Sequence, residues 1–161
     1  MKLSSRARYA VRLTLEVHRL EEDGKPVRLS EVARVTNISK GFLEQLAMAL
    51  KCHSILRGFC GRNGGYILGR AANEITIGDV LRAVIGPIEL ATCTEEPNDC
   101  MAAEFCESRL IWLLLKHRIN DLLDEYTIAD ISDRRSIDAI RDAVRALEQP
   151  GNEGKLWSFG N

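Results

Sequence analysis

LSEVARVTNISKGFLEQLAMALK, residues 29–51, decides the fold. Ser30 is read as the N-cap of a short helix whose Val32, Ala33 and Val35 face inward. Thr36-Asn37-Ile38-Ser39 then make a tight turn, with Asn37 where a positive φ is tolerated. Ser39 caps a longer helix, Lys40 to about His53, with Phe42, Leu43, Leu46 and Leu50 as its apolar stripe. Two short helices joined by so tight a turn form a helix-turn-helix pattern.

The neighbouring segments extend this pattern. Upstream, Ala10, Leu13, Val17 and Leu20 recur at spacings of three and four, predicting an amphipathic helix from Arg6 to Glu22. Ser4 or Ser5 can cap it, and Asp23-Gly24 ends it. Downstream, Ser54 to Arg57 and Gly65 to Leu68 are strand-like, around the glycine-rich tip GFCGRNGG. A β-hairpin directly after a helix-turn-helix is a wing. A short strand at Ile75 follows, then a helix from Thr76 or Ile77 that Gly86-Pro87 stops. Roughly Ala102 to Tyr126 is predicted as the longest helix, apolar around its whole centre, so it needs cover on more than one side. In a small chain the second side is another subunit. A short turn at residues 127–131 and a last amphipathic helix, Ser136 to Leu147 capped by Ser136, complete the ordered part. The tail from Gln149 reads as loose.

The 161 residues suit one domain with an appended piece, and 45% hydrophobic content supports a core. The longest apolar run, Leu110 to Leu115, is far too short to span a membrane. The N-terminus carries arginines at helical spacing and no small-residue cleavage site, so a cytoplasmic protein with reduced thiols is expected. The net charge of −1 hides an asymmetry. Residues 1–70 hold 13 Lys/Arg against 6 Asp/Glu, a balance of +7, and residues 71–161 hold 9 against 17, a balance of −8. The basic half is the natural contact for phosphates of double-stranded DNA, and the acidic half should face away.

Within the basic half, Ser39, Lys40, Glu44, Gln45 and Lys51 lie on the exposed side of the third helix. Gln and Ser can read base edges and Lys can hold phosphates. Arg57, Arg62 and Asn63 surround the wing glycines, and arginine on a thin finger can enter a minor groove. The competing reading is an ordinary hairpin with solvated arginines. The order of elements in the basic half favours the wing.

Three cysteines, Cys93, Cys100 and Cys106, sit with six and five residues between them in an acidic, Pro-containing stretch before the longest helix. Thiols so close can converge on one soft metal. Zinc, direct thiol oxidation with a poised and a resolving cysteine, and idle thiols are the competing readings. Acidic neighbours should raise the thiol pKa values. Cys52 reads as a small core residue, and Cys60 lies in the wing. His18 is read as surface, His53 as a helix-end residue and His117 as part of the long helix. His117 is too far along that helix to reach the Cys106 site of its own chain.

MKLSSRARYAVR, ISKGFLEQL, GRNGGYIL, TIGDVLRAV, the cysteine stretch with the following Arg109-Leu110-Ile111-Trp112, and YTIADI together resemble the Rrf-type winged-helix regulators, the family that includes IscR, NsrR and CymR. The resemblance covers residues 1–132. It implies a mainly α fold with a small β-hairpin: a winged helix-turn-helix DNA-binding domain over 1–87, a cysteine-containing sensor loop over 88–106, a dimerisation helix and C-terminal helix over 102–148, and a tail over 149–161. It implies a homodimer paired through the long helix, for which Leu110, Trp112, Leu114, Ile119 and Leu122 are the contact residues. It places Ser39, Lys40, Glu44 and Gln45 in the major groove and Arg62 in the wing. Cys93, Cys100 and Cys106 match the cysteines that ligate an iron–sulfur cluster, [2Fe-2S] or [4Fe-4S], in cluster-binding members.

The chain departs from the family at the fourth ligand. Some members place a histidine three residues after the third cysteine, where this chain has Arg109; others use a carboxylate of the partner's first helix, where this chain has Arg8. Glu95, Glu96, Asp99, Glu104, Glu107, a thiol or a small molecule are the remaining candidates. The first two cysteines are also one residue further apart than in the pattern, and Cys60 stands where the family commonly has Arg or Lys. The expected function is a transcriptional repressor or activator sensing redox state, iron–sulfur supply or nitric oxide. The alternatives are a cluster-free regulator of the same fold, controlled by a partner, ligand or thiol oxidation, and a small electron carrier, which would need neither a basic half nor a wing. No nucleophile with a base in a recognisable setting suggests an enzyme.

Overall fold

A computed structural model describes residues 3–94 and 105–149, and among these it is mainly helical with one two-stranded antiparallel sheet. The order is α1 (Ser5–Leu20), α2 (Leu29–Thr36), α3 (Lys40–Cys52), β1 (Leu56–Phe59), β2 (Gly65–Leu68), α4 (Ile77–Ile85), α5 (Glu107–Glu125), α6 (Ile128–Ser132) and α7 (Arg134–Glu148). Short 3₁₀ turns lie at Ala72–Glu74 and Thr92–Thr94. The winged-helix architecture is therefore present.

One core joins the first three helices to the hairpin and α6. Leu13 and Val17 of α1, Val32 of α2, Leu43, Leu46 and Leu50 of α3, and Ile55, Ile75 and Ile128 are all buried together. Each such side chain contributes about 2 kcal/mol on leaving water. Tyr9 and Phe42 meet edge to face, ring centres 5.9 Å apart, which fixes α3 against α1. The turn before α3 forms as expected: Asn37 adopts φ 55°, and the Ser39 hydroxyl accepts from the Phe42 N–H.

Several local expectations are corrected. Ser30 is not the cap of α2; Arg28 holds that position, and its N–H donates to the Glu31 carboxylate. Val35 is exposed, and Thr36 is buried instead, because its hydroxyl donates to the Val32 carbonyl at 2.7 Å and so enters the core satisfied. Cys52 is exposed, since it continues the outward stripe of α3 four residues beyond Met48. The first strand begins at Leu56 rather than Ser54, where φ is 57°. The long helix begins at Glu107, with Phe105 and Cys106 outside it. The last helix is capped by Asp133, whose carboxylate accepts from Ser136, and not by Ser136 itself.

The hairpin pairs Leu56 with Leu68 and Phe59 with Gly65. Val27 adds a one-residue bridge to β2, exchanging two 2.8 Å backbone hydrogen bonds with Tyr66. A Cβ on Gly65 would lie 2.4 Å from the Val27 carbonyl oxygen, so no side chain fits there. Gly61, at φ 100°, supplies the turn of the tip.

The α4 start is tied to the α5 end. The Ile77 N–H donates to Tyr126 O and the Ile128 N–H donates to Ile75 O, with Thr76 and Thr127 bridged between them. Arg82 of α4 forks onto Asp124 of α5 (2.5 and 3.2 Å) and reaches Asp79, which also holds Arg70 at 3.0 Å. Burial pushes the Asp79 carboxyl up, but hydrogen bonds from Arg70, the Thr76 N–H and Arg82 outweigh it and hold the group below its ordinary value. Asp79 therefore stabilises the fold fully above the ordinary carboxylate range, and loses that contribution as pH falls through its depressed value. Asp79→Ala should destabilise by about 1 kcal/mol at neutral pH, through the lost capping box and ion pairs. In melts from neutral pH to acid, its deficit against the parent protein should shrink below about pH 4. A deficit independent of pH would contradict the assignment.

Candidate nucleic-acid interface and cysteine site

The outward face of α3 carries Ser39, Lys40, Gly41, Glu44, Gln45, Met48, Lys51 and Cys52. Lys40 and Glu44 pair with each other at 3.3 Å, so the positive charge of Lys40 is partly met inside the helix. Both ends of that pair are more than half exposed, so it opens at little cost. Gln45 is exposed and makes no side-chain hydrogen bond among the described residues, which leaves its amide free to read a base edge. Met48 is 67% exposed between Gln45 and Cys52 on the same face. Sequence reasoning missed it, although its spacing from Glu44 and Gln45 marks it as outward. An exposed thioether there suits apolar contact with a thymine methyl group.

Arg57 projects from β1 with its guanidinium 4.8 Å from the centre of the Phe59 ring. Arg62 sits exposed at the tip, and its carbonyl accepts from Arg28 Nη2 at 2.9 Å. Asn63 lines a cleft between the tip and the start of α2, together with Pro26, Val27, Arg28 and Glu31. Cys60 is exposed next to these residues. The predicted set thus divides between one helix face and one hairpin, both belonging to the same packed head.

The second site lies at the other end of the chain. Cys93 occupies the 3₁₀ turn Thr92–Thr94, and Cys106 is the N-cap residue of α5. Arg109 joins the two: its Nε donates to the Cys93 carbonyl at 2.8 Å, and its backbone N–H donates to the Cys106 carbonyl at 3.1 Å. Cys100 lies outside the described residues, as do Glu95, Glu96, Asp99 and Glu104. Among the described residues no group of three or more metal-binding side chains is gathered.

The thiol expectation is reversed at Cys106. Its pKa is lowered, first by the Ser108 hydroxyl 3.1 Å from the sulfur, then by the Arg109 N–H, with a small pull from the Arg109 charge. A helix N-terminus favours an anion, and that local geometry outweighs the acidic composition of the stretch. A readily formed thiolate is the species a soft metal needs, so Cys106 has the chemistry of a metal ligand. The Arg109 guanidinium is engaged with the Cys93 carbonyl, and a guanidinium offers hydrogen-bond donors rather than a ligand atom. Arg8 bonds Ser5 and lies over Tyr9.

On α5, Leu110, Ile111, Trp112 and Leu122 are 41–65% exposed, and Leu114 is half-buried. Ile119 is half-buried and packs with Leu123 onto Ala7, Leu81 and Ile88. Ile111, outside the predicted set, is exposed as well. His117 is exposed on the same helix, His18 is half-buried, and His53 ends α3 with its ring bonded to the Ala49 carbonyl.

Residues 3–134 match the Rrf2 family, described as an iron-dependent transcriptional regulator. The HTH-type transcriptional regulator IscR of Erwinia tasmaniensis is 33% identical over 148 residues, 92% of this chain and 88% of the relative. Among solved structures, CymR of B. subtilis, the global cysteine regulator, superposes with a TM-score of 0.67 at 29% identity, covering 82% of this chain and 96% of that one. T. potens IscR superposes with a TM-score of 0.63 at 25% identity, covering 95% and 96%. The matched relatives are transcriptional regulators, a non-enzymatic group.

Ser108→Ala should raise the pH at which iodoacetamide alkylates Cys106 in metal-free protein, read by peptide mass spectrometry. An unchanged profile at Cys106 would remove the Ser108 hydroxyl as the cause.

Proposed function

The chain belongs to the Rrf2 family of DNA-binding transcriptional regulators, and from that premise we propose that it works as a cytoplasmic homodimer whose grip on DNA is set by an iron–sulfur cluster held by Cys93, Cys100 and Cys106. The observation that carries the reading is the Arg109 bridge, which brings Cys93 to the first turn of α5 beside an acidified Cys106. The cluster would supply a centre sensitive to oxidant, to iron–sulfur supply or to nitric oxide. A [2Fe-2S] and a [4Fe-4S] cluster each take four ligands, so three cysteines leave one iron position to a further group.

The chain's own residues carry the coupling. Cys106 caps α5, and the far end of α5 is fastened to α4 through Asp124 and Arg82. In a dimer, α5 packs on its counterpart through Leu110, Ile111, Trp112 and Leu122. A change at the cysteine end then alters the angle between two heads, each offering Ser39, Lys40, Glu44, Gln45 and Met48 to a major groove and Arg57 and Arg62 to the backbone or minor groove. Half-site spacing converts that angle into affinity. The second reading is a cluster-free switch through thiol oxidation, favoured by the lowered pKa of Cys106.

Anaerobic purification should give coloured protein containing iron and sulfide, and a Cys93/Cys100/Cys106→Ala triple variant should be colourless. Duplex selected by the cluster-loaded protein should bind the two forms with affinities differing about fivefold or more. Equal affinities would end the sensing reading, and colourless wild-type protein whose binding responds to peroxide would favour the thiol switch. Separately, Leu110→Glu/Leu122→Glu should halve the mass seen in sedimentation while leaving the helical content of the monomer intact. A parent protein that sediments as a monomer would refute the dimer.

A further inference from the structure

Arg28 caps α2 through its backbone, and its side chain is left for another partner. It begins α2, the first helix of the helix-turn-helix, and its side chain is directed to the wing. Nη2 donates to the Arg62 carbonyl at 2.9 Å, across 34 residues of sequence. The adjacent Val27 is paired on both sides with Tyr66, and Gly65 leaves no room for a side chain between them. The base of the hairpin is therefore seated on the segment before α2 by backbone bonds alone. The tip is different. Cys60-Gly61-Arg62-Asn63-Gly64 holds two glycines and is exposed through Asn63, and its one internal backbone bond runs from Gly64 N–H to Gly61 O. Glycine-rich backbone has much freedom to lose on ordering. The Arg28 bond lands in the middle of that tip, on the residue that carries the tip's cation.

We infer that Arg28 is a positioning residue for DNA binding: it fixes the backbone of Arg62 so that the Arg62 guanidinium is presented to the minor groove in one orientation. Arg28 itself is exposed and forms no ion pair among the described residues, so its charge is not already committed elsewhere. The device suits this chain in particular, because Cys60 leaves the tip with Arg62 as its single charged side chain. One correctly held arginine then has to do what two do in a tip with a second cation. The inference rests on the reading of the wing as a DNA-contacting arm.

The test is a double-mutant cycle on duplex selected from random sequence by the parent protein. Arg62→Ala keeps its backbone carbonyl, so it removes the presented group and leaves the clamp. Arg28→Ala removes the clamp and leaves the presented group. Each should weaken binding about tenfold to a hundredfold, the loss of one charged-group hydrogen bond. The double variant should bind no more weakly than Arg62→Ala alone, with the same salt dependence. Losses that multiply, or full affinity of Arg28→Ala, overturn the inference while leaving the wing reading intact. Full affinity of Arg62→Ala overturns both. Melting curves of each variant accompany the titrations; if Arg28→Ala lowers stability, Arg28→Met, which keeps the aliphatic stem, takes its place in the cycle.

Discussion

The fastening of α5 to α4 is the constraint on which the rest depends. Two backbone hydrogen bonds strap the residues around Thr127 to those around Thr76, and the Arg82 fork onto Asp124 lies beside them. A fork between guanidinium and carboxylate fixes direction as well as distance. Gly78 makes the approach possible, since a Cβ there would fall 2.0 Å from an Asp124 oxygen. Arg70, at the exit of the wing, enters the same cluster through Asp79. The long helix and the DNA-reading head are thus one body at this end. The exposed ion pairs contribute little stability each, but the backbone strap is not screened by salt.

The opposite end of α5 is built differently. Among the described residues its first turn is held through Arg109 to the Cys93 carbonyl, and its exposed surface is apolar rather than charged. The two ends of the helix are thus held by different kinds of contact. The same contrast recurs in the head. α3 is locked by Tyr9, Leu43, Leu46 and Leu50, whereas the wing tip hangs on one arginine.

Much of this was legible in the chain. The Thr36–Ser39 turn, the Ser39 cap, the stripe of α3 and the Gly-rich hairpin follow from local rules: capping, periodicity and φ preference act within four residues. The misses share a cause. The phase of an eight-residue helix such as α2 is set by what it packs against, so Val35 and Thr36 exchanged places. Composition suggested basic thiols at the cysteine stretch, but one hydroxyl and one helix terminus decided Cys106.

The sequence by itself determined the winged helix-turn-helix order, the basic reading half, the clustering of the three cysteines and the absence of a histidine at position 109. All of these are matters of residue type and spacing. Tertiary structure alone decided that Arg28 reaches Arg62, that Arg109 holds Cys93, and that Asp124 receives Arg82. Each of those pairs is either distant along the chain or governed by a neighbouring surface. Local propensity carries no information about which distant groups the packed core brings within hydrogen-bond reach.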